Sequence, residues 1–179
     1  MVSIMKSLGS IESASDDVLK DARKLFESLR SHTIHEPTTV TESINSLKNI
    51  RAEIYESLNQ LQHEYLIIQA AKWLQNNDPS LKDALWLWNP RQTGGYNEPD
   101  LTVIREEINL ISAEITTSTD PIGLIDSRMR DTLAKLNQMQ GKKFYFVLTE
   151  KMRRRAQTKI VKSGWDVKVI TIKDEKSTS

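Results

Sequence analysis

From Thr39 to Leu74 apolar side chains recur every three or four residues, through Ile44, Leu47, Ile50, Ile54, Leu58, Leu61, Tyr65 and Ile68, with no Gly or Pro among them. This spacing predicts one long helix over about 40–75, roughly 50 Å at about 1.5 Å per residue. Thr39 and Glu42 have capping-box spacing at its start. Its first half is a narrow, heptad-like coiled-coil seam, and its last ten residues are apolar on several sides, which predicts deeper burial there.

Shorter periodic runs flank it. Val18, Leu19, Ala22, Leu25, Phe26 and Leu29 predict a helix starting near Ser15, with Asp16 and Asp17 in its first turn. Asp78 and Pro79 cap and open a short helix carrying Leu81, Leu85, Trp86 and Trp88. After a glycine-rich loop, Leu101, Ile104, Ile108, Ile111 and Ile115 fall at helical spacing. Ile122, Ile125, Met129, Leu133 and Leu136 do so again up to about Gln140, where Gly141 suits a helix end.

The period changes after Gly141. Phe144–Leu148 reads as a strand, Glu150 to about Lys162 as a helix capped by Thr149, and Trp165–Ile172 as a second strand, a βαβ unit with parallel strands. The fold class expected is therefore mainly α: a helical bundle over 1–140, followed by a small C-terminal βαβ appendage over 141–179 that ends in a short flexible tail. Two strands make a poor sheet, so this unit must lean on the helices or pair its edges with another chain.

Charge sharpens this division. Lys142–Ser179 holds 11 Lys or Arg against 4 Asp or Glu, a net of +7, which leaves −6 on the rest of a chain whose total is +1. The 179 residues contain no Cys, which excludes a disulfide framework and thiolate metal sites. Met1–Ser15 has no signal-peptide apolar run, and Tyr65–Leu74 is too short to span a bilayer, so a cytoplasmic protein is expected.

Candidate chemistry follows the charge. Lys151, Arg155, Lys159 and Lys162 share one helix face, with Arg154 beside them, Arg153 in the same basic run, and Lys142 and Lys143 nearby; a row of cations suits phosphate oxygens or an acidic partner. Trp86, Trp88, Arg91 and Tyr96 have the composition of a partner-binding surface. The long seam suits self-association or a protein partner. The expected function is a non-catalytic assembly or accessory protein, whose helical body binds protein chains and whose basic unit contacts nucleic acid or an acidic partner. A viral or phage structural protein without nucleic-acid contact fits the same features.

The enzymatic alternative is a small nuclease. Asp166-Val167-Lys168 resembles the D/E-x-K element of metal-dependent nucleases, with no upstream Asp in place: Asp120 and Asp126 belong to the preceding helix. Arg30 and His35 resemble the R-x4-H spacing of HEPN-type ribonucleases, in which the Arg and His act in acid–base cleavage of RNA. His32, His35 and Glu36 read as a solvated loop, and His63 beside Glu64 as an ordinary helix residue. No catalytic residue, metal or cofactor is assigned.

Overall fold

The long apolar run forms one helix, α2 (Val40–Asn77), in which Thr39 Oγ1 accepts from the Glu42 N–H at 3.2 Å. The Glu42 carboxylate accepts from the N–H and hydroxyl of Thr38, one residue before the cap. α1 (Ile11–His32) precedes it, starting four residues before Ser15, because Ser10 Oγ accepts from the Ser13 N–H at 3.0 Å. The computed structural model describes residues 5–32, 34, 36–90 and 98–172.

The expected mainly-α bundle is corrected at the middle of the chain, which builds a sheet. β1 (Lys6–Ser7), β2 (Leu85–Trp88), β3 (Leu101–Arg105), β4 (Ile108–Ile115), β5 (Lys142–Val147) and β6 (Lys168–Thr171) form six strands in sequence order. β1 to β4 are antiparallel; β4, β5 and β6 are parallel. The Asp78-capped turn is a 3₁₀ helix ending at Asp83, and Trp86 and Trp88 lie on a strand. The run Leu101–Ile115 is a hairpin: Arg105 pairs with Ile108 across Glu106 and Glu107, at φ 49° and 64°. Positive φ at both central residues is the turn that matches strand twist, usually built from Asn and Gly.

The βαβ unit is present as expected, with α4 (Glu150–Ser163) capped by Thr149 and closed by Gly164. It is not an appendage on a bundle: β5 pairs with β4 and extends the same sheet. The sheet is covered on both sides. β5 sends Phe144 and Phe146 into a core with the C-terminal half of α2, and Tyr145 and Val147 into another with α3 (Leu124–Asn137) and α4. That alternation is the two-residue repeat of a strand.

Gly141 makes the α3–β5 turn at φ 76°, where a Cβ would lie 2.6 Å from the carbonyl carbon and oxygen of Leu110. Gly141→Ala is therefore expected to destabilise the protein by roughly 2–4 kcal/mol, read as a lower urea midpoint with unchanged slope.

Candidate active site

Two carboxylates meet where β3 begins and β4 ends. The Leu101–Ala113 pair, extended by one residue, sets Asp100 opposite Glu114 across the antiparallel ladder. Both are buried, at 6% and 8% exposure. Pro99 leads the chain into β3 ahead of Asp100, and Asp100 Oδ2 accepts from the Ile115 N–H at 2.7 Å, which ties the first carboxylate to the strand carrying the second.

Two helices complete the group. Lys135 of α3 forms an ion pair with Glu114, and its Nζ lies 3.4 Å from the Glu98 carbonyl oxygen. His63 of α2, buried at 5% exposure, places Nε2 3.4 Å from Asp100 Oδ2. The Tyr145 hydroxyl, on β5, hydrogen-bonds Thr116. Apolar neighbours fix these positions: Ile67, Ala70 and Ala71 seat α2 against one side of the sheet, and Met129, Leu133 and Leu136 seat α3 against the other.

Electrostatics distinguish this cluster from surface ion pairs. Burial, and then the neighbouring Asp100 carboxylate, push the Glu114 carboxyl up to about 8, against the pull of Lys135 and His63. Burial alone drives the His63 imidazole towards its neutral form; the Asp100 carboxylate outweighs it, with help from Glu114 and the Pro90 carbonyl, and the pKa is raised. The Tyr145 phenol is also pushed up, chiefly by burial. Strongly perturbed groups gathered in a cleft are a mark of functional sites.

The cluster opens into a cleft of about 940 Å³ between the middle of α2 and α3. Glu114 to Ser118 line it, with Tyr55 and Asn59 on the α2 wall and Arg128 on the α3 wall. Among the described residues, no three His, Cys, Asp or Glu side chains gather to hold a metal by themselves. Mg²⁺ requires less: one or two carboxylates, the remaining positions being filled by water and substrate phosphates. Asp100 and Glu114 fit that demand. A cation between them would also offset the repulsion that holds the Glu114 proton.

The residues expected to act from the sequence lie elsewhere. Asp166 is fully exposed, 4.0 Å from Lys143 Nζ, and Lys168 Nζ sits 5.9 Å from the Trp73 ring centroid and 6.0 Å from that of Phe144. Among the described residues, neither meets a second carboxylate as a D/E-x-K element requires. Arg30 lies in the last turn of α1, while His35 lies outside the described residues.

Trp86 and Trp88 are core residues, with Trp86 Nε1 donating to the Leu81 carbonyl at 3.2 Å, so their rings are not offered to a partner. Arg91 and Tyr96 lie outside the described residues. The basic row on α4 is largely occupied within the chain. Arg155 holds Asp126 through two hydrogen bonds, joined by Lys159 at 3.0 Å, which ties α4 to α3. Arg153 and Arg154 meet Glu150, Lys151 meets Asp120, and Lys142 meets Asp78; Lys162 is exposed. Arg155, then Lys159, hold the Asp126 carboxyl well below the usual carboxylate range.

Comparison with family models, curated proteins and solved structures gave no match.

Proposed function

We propose that this chain is a metal-dependent nuclease, with Asp100 and Glu114 as the metal-binding carboxylates and Lys135 as the site's cation. One observation carries the reading: two buried carboxylates opposed on adjacent strands, with a lysine on one of them, and Glu114, Lys135 and His63 lining a cleft beside them. These are the residue types of the D/E-x-K element of metal-dependent nucleases, including the upstream Asp. The lysine differs in origin: Thr116 stands two residues after Glu114, and Lys135 comes from α3.

A divalent ion held there would polarise a phosphodiester and acidify its bound water. Asp100 is oriented for this by the Ile115 N–H and by His63. Lys135 holds positive charge beside the carboxylates, where a scissile phosphate would bring negative charge. The cleft is partly open to solvent and has room for a stretch of polymer backbone. Arg128 offers a cation along its wall, and Tyr55, at 72% exposure, an aromatic face.

Calorimetric titration with Mn²⁺ tests the site itself. One ion per chain is expected, with proton release near pH 7 as Glu114 ionises and loss of binding in Glu114→Gln. Equal Mn²⁺ affinity in wild type and Glu114→Gln would remove these carboxylates as ligands.

A further inference from the structure

The cleft beside the carboxylates is a gap between two helix stripes. On α2 the stripe runs through Tyr55, Asn59 and His63, each four residues from the next; on α3 it runs through Arg128, Thr132 and Lys135, four and three residues apart. Both stripes reach the carboxylates at their C-terminal ends, where His63 Nε2 lies 3.4 Å from Asp100 and Lys135 pairs with Glu114. Tyr55 therefore stands about 12 Å along α2 from His63, and Arg128 about 10 Å along α3 from Lys135. Thr116 to Ser118, which continue β4 beyond Ile115, line the cleft as well.

We infer that this cleft takes a single strand of nucleic acid and excludes a duplex, with Tyr55 and Arg128 holding the strand about three nucleotides from the carboxylates, an inference that rests on the nuclease reading above. Three features favour one strand. The Tyr55 ring is 72% exposed on the cleft wall, and a ring can stack only on a base whose face is free, as in an unpaired strand. Asp100 and Glu114 are buried, so a phosphate reaches them only by entering the gap between α2 and α3. A single strand bends into such a gap; a duplex is a stiff rod with both backbones on its outside. Charge points the same way. Arg128 is exposed on the α3 wall and, among the described residues, has no ion pair, so it is available to one backbone. Asp131 on the same wall pairs with Arg130, while exposed Glu56 on the α2 wall would repel a second backbone.

Fluorescence anisotropy of short labelled oligonucleotides with the full chain tests this, at low salt and in chelator so that no strand is cut. The single strand is expected to bind several-fold tighter than a duplex of the same sequence. Tyr55→Ala should weaken single-strand binding roughly tenfold, and Tyr55→Phe, which keeps the ring, should restore it. Arg128→Ala should weaken it too and flatten the dependence of log Kd on log salt by about 0.7. Both side chains are exposed, so these variants should keep wild-type circular dichroism. Equal or tighter binding of the duplex would overturn the inference, as would single-strand affinity unchanged in both Tyr55→Ala and Arg128→Ala, or no binding of either form. The nuclease reading fails separately. Single-strand binding with these losses, but no cleavage in Mg²⁺ or Mn²⁺, would support the strand cleft and remove the chemistry. Metal-dependent cleavage of duplex at the single-strand rate would keep the chemistry and overturn the strand cleft.

Discussion

Asp100→Asn is expected to lower nucleic-acid cleavage on the order of 10³-fold while leaving the fold intact. The carboxylate's negative charge is what a divalent ion and its bound water require, and removing one preorganised electrostatic partner commonly costs 10²–10³ in rate. Asn keeps an oxygen that can accept from the Ile115 N–H, so the β3–β4 register should survive. Removing that charge also relieves its repulsion of Glu114, which favours the folded state. Cleavage assays run beside thermal melts separate the two effects: activity should vanish while Tm holds or rises. An Asp100→Asn protein that cleaves at the wild-type rate would take Asp100 out of the chemistry.

In chelator, the metal-free protein should become more stable as pH is lowered from about 8 towards 5. Glu114 titrates near 8 in the folded state, against an ordinary value of 4.5. Between those values the folded chain holds a proton that the unfolded chain has released. The resulting stabilisation is fully present below pH 4.5 and is lost as pH rises to about 8. His63 acts in the same direction: its raised pKa contributes stability below 6.5 that fades as pH rises through the folded value. Together these predict a gain on the order of 2–4 kcal/mol between pH 8 and 5. Carboxyls held below their ordinary values, such as Asp126 and Glu150, lose their contribution only in stronger acid. Urea denaturation at pH 5.5 and pH 8 should show the higher midpoint at 5.5, and Glu114→Gln should shrink the difference. A higher midpoint at pH 8 would contradict the burial and repulsion assigned to Glu114.

The helices and the last two strands were legible because their patterns have one reading. α2 follows an unbroken three-and-four spacing, and Thr149 and Gly164 mark both ends of α4. The central hairpin was not legible. Leu101, Ile104, Ile108, Ile111 and Ile115 fit a helix by spacing, and because both sides of the sheet are covered, β3 and β4 lack the alternation that would have marked strands. Their turn is built from Glu106 and Glu107, where composition gives no hint of positive φ. That misreading also hid the site. On a helix Glu114 belongs to the solvated side; on β4 it is a lone carboxylate in the buried run Ser112–Ile115, the one local signal that could have exposed it. Asp100 reads as a loop end after Pro99, and Lys135 as an ordinary surface lysine of α3. Only the sheet brings together residues 63, 100, 114 and 135. Trp86 and Trp88 were misplaced for a related reason, since a four-residue strand is too short to show a period.

The central claim is best tested by incubating the purified chain with end-labelled DNA and RNA, single- and double-stranded, in Mg²⁺ or Mn²⁺ and in chelator, alongside Lys135→Met. Cleavage of at least one substrate that requires the metal and is lost in Lys135→Met is the predicted result. No cleavage of any substrate with either metal, or cleavage that persists in chelator, would contradict the account.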